Sequence, residues 1–385
     1  MTHAEIVSWL RQNDAAKLDE LWSAADDCRG ANVGKAVHLR GLIEISNHCR
    51  RQCHYCGLRV GNSQLQRYRM SQDEILACAR QAVEFGYGTV VLQSGEDLGI
   101  ERDWLSEIIR ELKQRTPVAV TLSLGERSEG DLLAWRQAGA DRYLLRFETS
   151  NRVLYERIHP AVDGKTSDRF QILRRLRQMG YEIGSGVMVG IPGQTYDDLA
   201  RDIEAFAELD LEMIGVGPYL PHPQTPLGEQ AVTARAAEEG VAVIGGATAE
   251  GADDQPTNDE LMTYKMIALA RLACPQANIP STTALATLNR TFGRELGLMR
   301  GANIVMPNLT PVQYRALYEI YPAKACIYES AGDCHDCLAR RILSLGREIG
   351  QGRGDSPRKI GKPPPEGGGP PCFRTGLSDN ADAAG

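Results

Sequence analysis

The sequence predicts a parallel (β/α)8 barrel with a helical lead-in before it and a disordered tail after it. From residue 39 onward, short apolar runs alternate with amphipathic stretches, which is typical of parallel α/β folds. Eight such runs match the strand count of a barrel. Polar motifs follow the first three runs, and barrel folds carry their chemistry at the carboxyl ends of their strands. A doubly wound open sheet is the alternative that strand counting leaves open.

The predicted elements follow this alternation along the chain. Strands are expected at 39–45, 89–93, 118–122, 142–148, 183–189, 213–217, 278–281 and 303–306. Helices are expected at 72–85, 103–114, 129–138, 168–179 and 195–209. The first of these helices has the clearest start, because Ser71 followed three residues later by Glu74 is a capping-box pattern.

Composition divides the chain into a lead-in at 1–38, a barrel at 39–349 and a tail at 350–385. The tail carries repeated Gly and Pro and cannot bury enough apolar surface to fold, so we expect it to be disordered. Within the barrel, residues 229–258 are rich in Ala, Gly, Glu and Asp. This stretch predicts an inserted surface loop.

The charge balance argues against some partners. The 385 residues carry 50 acidic and 43 basic side chains, a net charge of −7, which disfavours general attraction to nucleic acid or an anionic membrane. No run reaches the roughly 20 apolar residues of a membrane helix. Residues 1–11 lack the pattern of a secretory signal, so we expect a cytoplasmic protein.

Six of the ten cysteines form two tight clusters, which favours metal binding over disulfides. In the first, Cys49, Cys53 and Cys56 have the spacing Cys-x3-Cys-x2-Cys. Three thiolates bind three irons of a 4Fe-4S cluster and leave the fourth iron open. That iron can chelate the amino and carboxylate groups of S-adenosylmethionine (SAM). The trio therefore predicts a radical SAM enzyme, which reductively cleaves SAM to a 5′-deoxyadenosyl radical.

A structural zinc site is the alternative for this trio, with His48 or His54 as the fourth ligand. The spacing fits that alternative poorly, since zinc knuckles usually pair two Cys-x2-Cys units or one such unit with two histidines. Tyr55 favours the iron–sulfur hypothesis, because an aromatic ring there can cover the cluster and contact the adenine of SAM.

Further side chains at the strand ends suggest a SAM site. Glu96, in the motif Ser-Gly-Glu after the second strand, can accept hydrogen bonds from the amino end of SAM. Glu148 shares one strand face with Arg146. It either binds the ribose hydroxyls of SAM or forms an ion pair with that arginine. Arg169, at the start of the next helix, can hold a carboxylate.

A glycine-rich stretch spans residues 184–193. Its spacing does not match a dinucleotide-binding loop. We interpret it as a strand whose small residues leave room for SAM, followed by a turn.

The second cysteine cluster consists of Cys326, Cys334 and Cys337. Three thiolates again predict an iron–sulfur cluster, with His335 or water nearby. A zinc site or a role without metal stays open, because no strand end accompanies this trio.

Nine motifs between residues 35 and 348 resemble the HydE family, the radical SAM maturases of FeFe hydrogenase. They are Ile43 to Leu58, Arg67 to Met70, Leu92 to Asp97, Leu122 to Glu126, Gly139 to Arg146, Met188 to Gln194, Gly217 to Pro223, Ile279 to Thr283 and Met306 to Asn308. The second trio also matches the spacing of an accessory cluster found in part of that family. Phe147 stands where we expect a His of the family.

The resemblance implies a radical SAM TIM barrel that helps to assemble the diiron subsite of the hydrogenase H-cluster. The implied substrate is a cysteine-bound iron carbonyl–cyanide complex made by HydG, and the product passes to the scaffold HydF. The implied reductant is a ferredoxin or flavodoxin.

The family pattern also implies roles for individual residues of this chain, with no catalytic residue beyond the cluster and SAM. The three cysteines of the first trio hold the cluster, and Glu96, Glu148 and Arg169 bind SAM. The implied substrate cavity is lined by Gln93, Thr282, Thr283, Met306, Tyr318 and Tyr321.

Related enzymes and one different class of protein are the competing hypotheses. Biotin synthase needs further cysteines near the barrel strands, which this chain lacks. Methylornithine synthase should lack the second cysteine trio. A non-enzymatic metal-binding scaffold does not need the SAM residues at the strand ends.

Overall fold

The computed structural model describes residues 1–231 and 254–357 of the chain. Its strands are β1 Ala36–Ser46, β2 Thr89–Ser94, β3 Ala119–Ser123, β4 Arg142–Leu144, β5 Glu182–Val189, β6 Met213–Pro218, β7 Ile304–Val305 and β8 Glu348–Ile349. The strands pair in parallel in the order β6-β5-β4-β3-β2-β1-β7, and β8 extends the pairing of β1. This order lacks the reversal of a doubly wound sheet, so the predicted barrel-type fold is confirmed.

The ring closes between β6 and β7 through single bridges instead of a regular strand. Asn278 bridges to Met213 of β6, and Pro280 bridges to Ile304 of β7. We predicted a full strand at 278–281, and that prediction is wrong in extent. A proline has no N–H to donate, so Pro280 interrupts the ladder at this position.

The fourth strand is also shorter than predicted, because its ladder ends at Leu144. The amide of Phe147 donates to the hydroxyl of Ser185 at 3.0 Å instead of to a strand carbonyl. The Phe147 ring lies outside the barrel, packed on Phe170 and Phe206 of the helical layer. This residue is therefore part of the hydrophobic core and not of the barrel interior.

The helices cover the outside of the sheet, and each predicted helix is confirmed to within two residues. They are α1 His3–Arg11, α2 Ala15–Val33, α3 Gln72–Glu84, α4 Arg102–Arg115, α5 Glu129–Ala138, α6 Arg152–Ile158, α7 Arg169–Gln178, α8 Tyr196–Glu208, α9 Glu260–Ala273, α10 Thr283–Leu288, α11 Gly293–Met299, α12 Val312–Arg315 and α13 Ala331–Ser344. The capping box of Ser71 and Glu74 is present at the start of α3. None of the helices in the described part of the chain is long and apolar enough to cross a membrane.

The lead-in packs as two helices against the outer face of α8 and α9. Ile6 and Leu10 of α1 are buried there. Lys265 of α9 donates to the carbonyl of Leu10 at 2.9 Å, so a buried ammonium group also fixes the end of α1.

Residues 350–357, which we assigned to the tail, lie across the amino-terminal end of the barrel. The carbonyl of Gly354 accepts from Arg40 and from Asn278, at 3.0 and 3.2 Å. Asp355 pairs with Arg142, which is fully buried under this segment. Residues 358–385 lie outside the described part, as does most of the predicted loop at 229–258.

Candidate active site

A cavity of about 330 Å³ lies inside the barrel and extends to the carboxyl ends of the strands. Alternate residues of a strand face the same side, and the inward positions of β1 place Arg40, Leu42 and Glu44 on its wall. The register pairs Glu44 with Gln93 of β2, which in turn pairs with Ser123 of β3. These three polar side chains therefore form one layer of the wall. The volume is that of a small-molecule pocket.

The first cysteine trio lies on the loop after β1, at the mouth of this cavity. Cys49 and Cys56 line the cavity, and Cys53 is buried beside them. The backbone N–H of Glu96 donates to the sulfur of Cys49 at 3.4 Å. Such a donor stabilises a thiolate, which is the form that binds iron.

The thiols of this trio are buried close to one another, and the pKa of each is raised. Burial raises the pKa of the Cys53 thiol to about 12, and that of Cys56 well above its usual value. The charge of Cys49 raises the pKa of Cys53 further, and the charges of Cys53 and Cys49 do the same for Cys56. Buried thiols of this kind are deprotonated when a metal binds them. The trio and the adjoining space therefore fit a three-thiolate cluster and its ligand.

No group of three His, Cys, Asp or Glu side chains within 1–231 and 254–357 is arranged to hold a single metal ion. His48 and His54, the fourth ligands of the zinc alternative, are both partly exposed. Ligands of a 4Fe-4S cluster bind separate irons and need not converge on one point.

A chain of buried ion pairs stands behind the cysteine loop. Glu96 accepts from Arg51 at 2.9 and 3.0 Å, and Arg51 reaches Glu126 at 2.6 Å. Glu126 in turn accepts from Arg169 at 2.9 Å. Two of the predicted SAM residues, Glu96 and Arg169, thus belong to one neutral network.

Electrostatics hold this network in its charged form. Burial alone would raise the pKa of Glu126, but the charges of Arg169 and Arg51 lower it below its usual value. Sequence reasoning did not assign Arg51 or Glu126 to the site. The available signal was position in the sequence, because Arg51 lies between two of the cysteines and Glu126 follows the carboxyl end of β3.

Glu148, the third predicted SAM residue, lies on the cavity wall at the end of β4. Arg146 pairs with it at 2.9 Å, so the ion pair that we kept as an alternative is present. Glu148 also has a φ of +63°, which is uncommon for any residue other than glycine. Strained backbone of this kind concentrates at functional sites.

Tyr55 lines the cavity together with Cys49 and Cys56. Its hydroxyl is 2.8 Å from Nε2 of His159, and the two rings meet edge to face. Burial raises the pKa of Tyr55 and lowers that of His159, so both rings stay neutral. This pairing orients the aromatic ring beside the position of the trio.

All six side chains expected in the substrate cavity line it: Gln93, Thr282, Thr283, Met306, Tyr318 and Tyr321. Sequence reasoning missed a buried ion pair on the same wall, between Glu44 and Lys324. Asn308 also donates to Glu44, at 3.0 Å. A carboxylate within the apolar run from Leu42 to Ile45 was the signal for Glu44, whereas nothing in the sequence marked Lys324.

The glycines of β5 lie on the same side of that strand as Met188, which lines the cavity, so they belong to the inward face of the barrel. That they leave room for SAM stays a prediction. A Cβ at Gly186 would come within 1.9 Å of the carbonyl oxygen of Gly215, and one at Gly184 would strike Met213 and Leu144. They allow close packing of strands and side chains. Gly215 and Gly217 of the neighbouring strand β6 line the cavity.

In the second trio, Cys334 and Cys337 belong to α13 and Cys326 precedes this helix, and none of the three lines the cavity. The thiols of Cys326 and Cys334 share a hydrogen bond, and Arg294 is 3.7 Å from the sulfur of Cys326. Cys337 follows Cys334 by about one helical turn, which places both on one side of α13. His335 is held elsewhere, with its ring 3.0 Å from the hydroxyl of Tyr87.

Comparison with known proteins places this site in a family. A protein-family model of the radical SAM superfamily matches residues 43–206. The [FeFe] hydrogenase maturase subunit HydE of Thermotoga maritima is 44% identical over 346 residues, which is 90% of this chain and 91% of that protein. The chain belongs to the HydE family. Membership of this radical SAM family implies a 4Fe-4S cluster and SAM as cofactors.

More distant relatives share the fold of this HydE-family protein. A 3-methylornithine synthase of Methanosarcina acetivorans is 27% identical over 75% of this chain and 74% of its own. The crystal structure of the methylornithine synthase PylB superposes with a TM-score of 0.72 at 23% identity, covering 91% of this chain and 94% of that one. The higher identity to HydE separates this chain from the methylornithine synthases.

Proposed function

We propose that this protein is the radical SAM maturase that helps to build the diiron subsite of FeFe hydrogenase, acting on a cysteine-bound iron carbonyl–cyanide complex. The observation that carries the proposal is the 44% identity to HydE over 90% of the chain. The position of the cysteine trio at the mouth of an enclosed cavity supports it.

In this proposal the loop after β1 binds the cluster, and the cavity binds SAM and the substrate. Cys49, Cys53 and Cys56 hold the cluster, which together with SAM supplies a 5′-deoxyadenosyl radical when bound. Glu148 and Tyr55 orient the ribose and adenine of SAM. The ion pairs of Glu126 with Arg51 and Arg169 hold the strand ends in place, since a carboxylate fixed by two arginines moves little.

The cavity wall would receive the substrate and exclude water from the radical. Hydroxyl and amide groups of Gln93, Thr282, Thr283 and Tyr318 can hydrogen-bond to cyanide nitrogens and to the cysteine of the complex. Tyr318 is already hydrogen-bonded to Gln93, which fixes both side chains. A preformed polar wall in an enclosed site is what orientation of a reactive ligand needs.

The proposed partners follow from the same pathway. HydG would supply the substrate, HydF would receive the product, and a ferredoxin or flavodoxin would deliver electrons. We also propose a second iron–sulfur cluster at Cys326, Cys334 and Cys337. The nine described cysteines are all free thiols, which supports a reducing, cytoplasmic location.

The test is a two-part assay of the anaerobically reconstituted protein. With cluster content confirmed by iron and sulfide analysis, the reduced protein should convert SAM to 5′-deoxyadenosine. Added to a hydrogenase maturation mixture that lacks its own HydE, it should restore hydrogenase activity. Deoxyadenosine without restored hydrogenase would refute the maturase assignment, and absence of both would refute the enzyme assignment.

A further inference from the structure

The segment that carries the first trio has an uneven charge distribution. Residues 45–72 contain five arginines, two histidines and no Asp or Glu. The whole chain, by contrast, has more acidic than basic residues and a net charge of −7. A local excess of positive charge on a protein of opposite net charge is a feature that can steer a partner.

Three of the five arginines are matched by carboxylates from other elements. Arg51 pairs with Glu96 and Glu126 in the buried network. Arg69 pairs with Asp97 at 2.7 Å. Arg50 pairs with Asp163, which is itself mostly exposed.

The other two arginines, Arg59 and Arg67, form no ion pair with any carboxylate in the described part of the chain. Arg67 donates instead to four backbone carbonyls, those of Asn47, Leu58, Arg59 and Asn62. The Nε of Arg59 is buried without a hydrogen-bond partner among the described residues. Neither guanidinium group is therefore balanced by a carboxylate within ion-pair distance among the described residues.

The same segment forms the outer surface over the trio. Gln52, Val60 and Gln64 are exposed, and Arg59 is partly exposed. Cys53, directly after Gln52, is only 8% exposed. An exposed residue thus directly adjoins the buried Cys53, while Cys49 and Cys56 line the cavity.

We propose that the outer face of residues 48–69, the basic face, docks an acidic one-electron carrier protein of the flavodoxin or ferredoxin class. The proposal rests on the proposed function, because only a cluster that must be reduced needs such a partner. The carrier loses one electron and the cluster gains it, so no bond or proton changes place. SAM and substrate occupy the cavity side, which leaves this face as the short route to the cluster.

Electrostatics favour this occupant over a neutral one. Opposite charges on two surfaces raise the association rate and fix the orientation of the encounter, and the effect weakens with salt. A scaffold protein that bound the same face would compete with the carrier. Such competition would not change the effect of the Arg59 substitutions on binding of the carrier alone.

The test compares Arg59→Glu with Arg174→Glu, a control on α7. Both substitutions change the net charge by the same amount, and Arg174 is an exposed residue paired only with Glu208. The probe is an acidic flavodoxin, whose bound flavin reports binding through its fluorescence. We expect the Kd for Arg59→Glu to rise about tenfold and the Kd for Arg174→Glu to stay near wild type. The rate of cluster reduction by the flavodoxin should fall in parallel and lose most of its salt dependence.

A second reductant distinguishes an effect on docking of the carrier from an effect on SAM cleavage itself. Photoreduced deazaflavin is small and does not need a docking surface, so Arg59→Glu should form deoxyadenosine with it at the wild-type rate. If Arg59→Glu fails to load its cluster, Arg59→Gln gives the same comparison with half the change in charge. Equal flavodoxin Kd values for wild type and both Arg59 variants would overturn the docking proposal. Absence of deoxyadenosine with deazaflavin in wild type would instead overturn the proposed function.

Discussion

Each end of the barrel contains a buried arginine between two carboxylates, but one end is closed by the chain and the other borders the candidate active site. At the amino end, Arg142 is enclosed between Glu182 and Asp355, and residues 350–357 cover it. At the carboxyl end, Arg51 lies between Glu96 and Glu126, beside a cavity of about 330 Å³. A buried arginine with two carboxylates is therefore not by itself the sign of a site.

The difference lies in what surrounds each set of charges. At the amino end the remaining donors of Arg142 are met by protein, namely the hydroxyl of Thr89 and the carbonyl of Arg353. At the carboxyl end the charges support a loop of buried thiols, and a strained Glu148 faces open space. A charged network whose hydrogen-bonding groups are all met by protein atoms stabilises the fold. A network that borders an unfilled polar space can also support ligand binding.

The largest expected effect is at the carboxyl end, for Cys53→Ala. Loss of one of three thiolates should prevent assembly of an active cluster, and deoxyadenosine formation should fall to background. The control is Cys274→Ala, which also removes a buried thiol, but one outside the trio and outside the cavity lining. Measurable deoxyadenosine from Cys53→Ala would show that the trio is not the ligand set.

The next effect is at the amino end and concerns stability. A chain ending at residue 349 leaves the buried Arg142 without Asp355 and the carbonyl of Arg353, and breaking a buried pair costs about 3–5 kcal/mol. A chain ending at 357 keeps these contacts and should match the full-length protein. Urea unfolding measures both. Equal stability of the two shortened chains would show that the segment does not close the barrel.

A smaller effect tests the network behind the cysteine loop, through Glu126→Gln. The amide keeps the shape but loses the charge that both Arg51 and Arg169 face. We expect the KM for SAM to rise about tenfold with little change in kcat, since this network positions ligand-binding groups. Glu129→Gln, at an exposed pair with Arg175, is the control. An unchanged KM would mean that the network is structural, like the one at the amino end.

The smallest effect is expected at the second trio. Cys334→Ala removes one thiol of α13 that does not line the cavity, and deoxyadenosine formation should stay within about twofold of wild type. Iron analysis of the same variant reports whether this trio holds a cluster. A large loss of SAM cleavage would show that the second trio acts in the reaction.

Local patterns predicted the helices and most of the strands. Amphipathic spacing and the capping box of Ser71 and Glu74 depend only on residues that are close in sequence, so α3 begins where expected. The ends of β4 and the strand at 278–281 were not predictable in this way. They depend on Ser185 and Pro280 in the hydrogen bonding between neighbouring strands.

The sequence by itself determined the barrel-type fold, the trio of Cys49, Cys53 and Cys56 and its place after the first strand, because these depend on periodicity and on short spacings. Only the tertiary structure decided which charges meet. Arg51 reaches Glu126, Lys324 reaches Glu44, and Asp355 reaches Arg142 across long separations in sequence. Such pairs form because burial forces each charge to find a partner, and the folded chain alone sets which partner lies within reach.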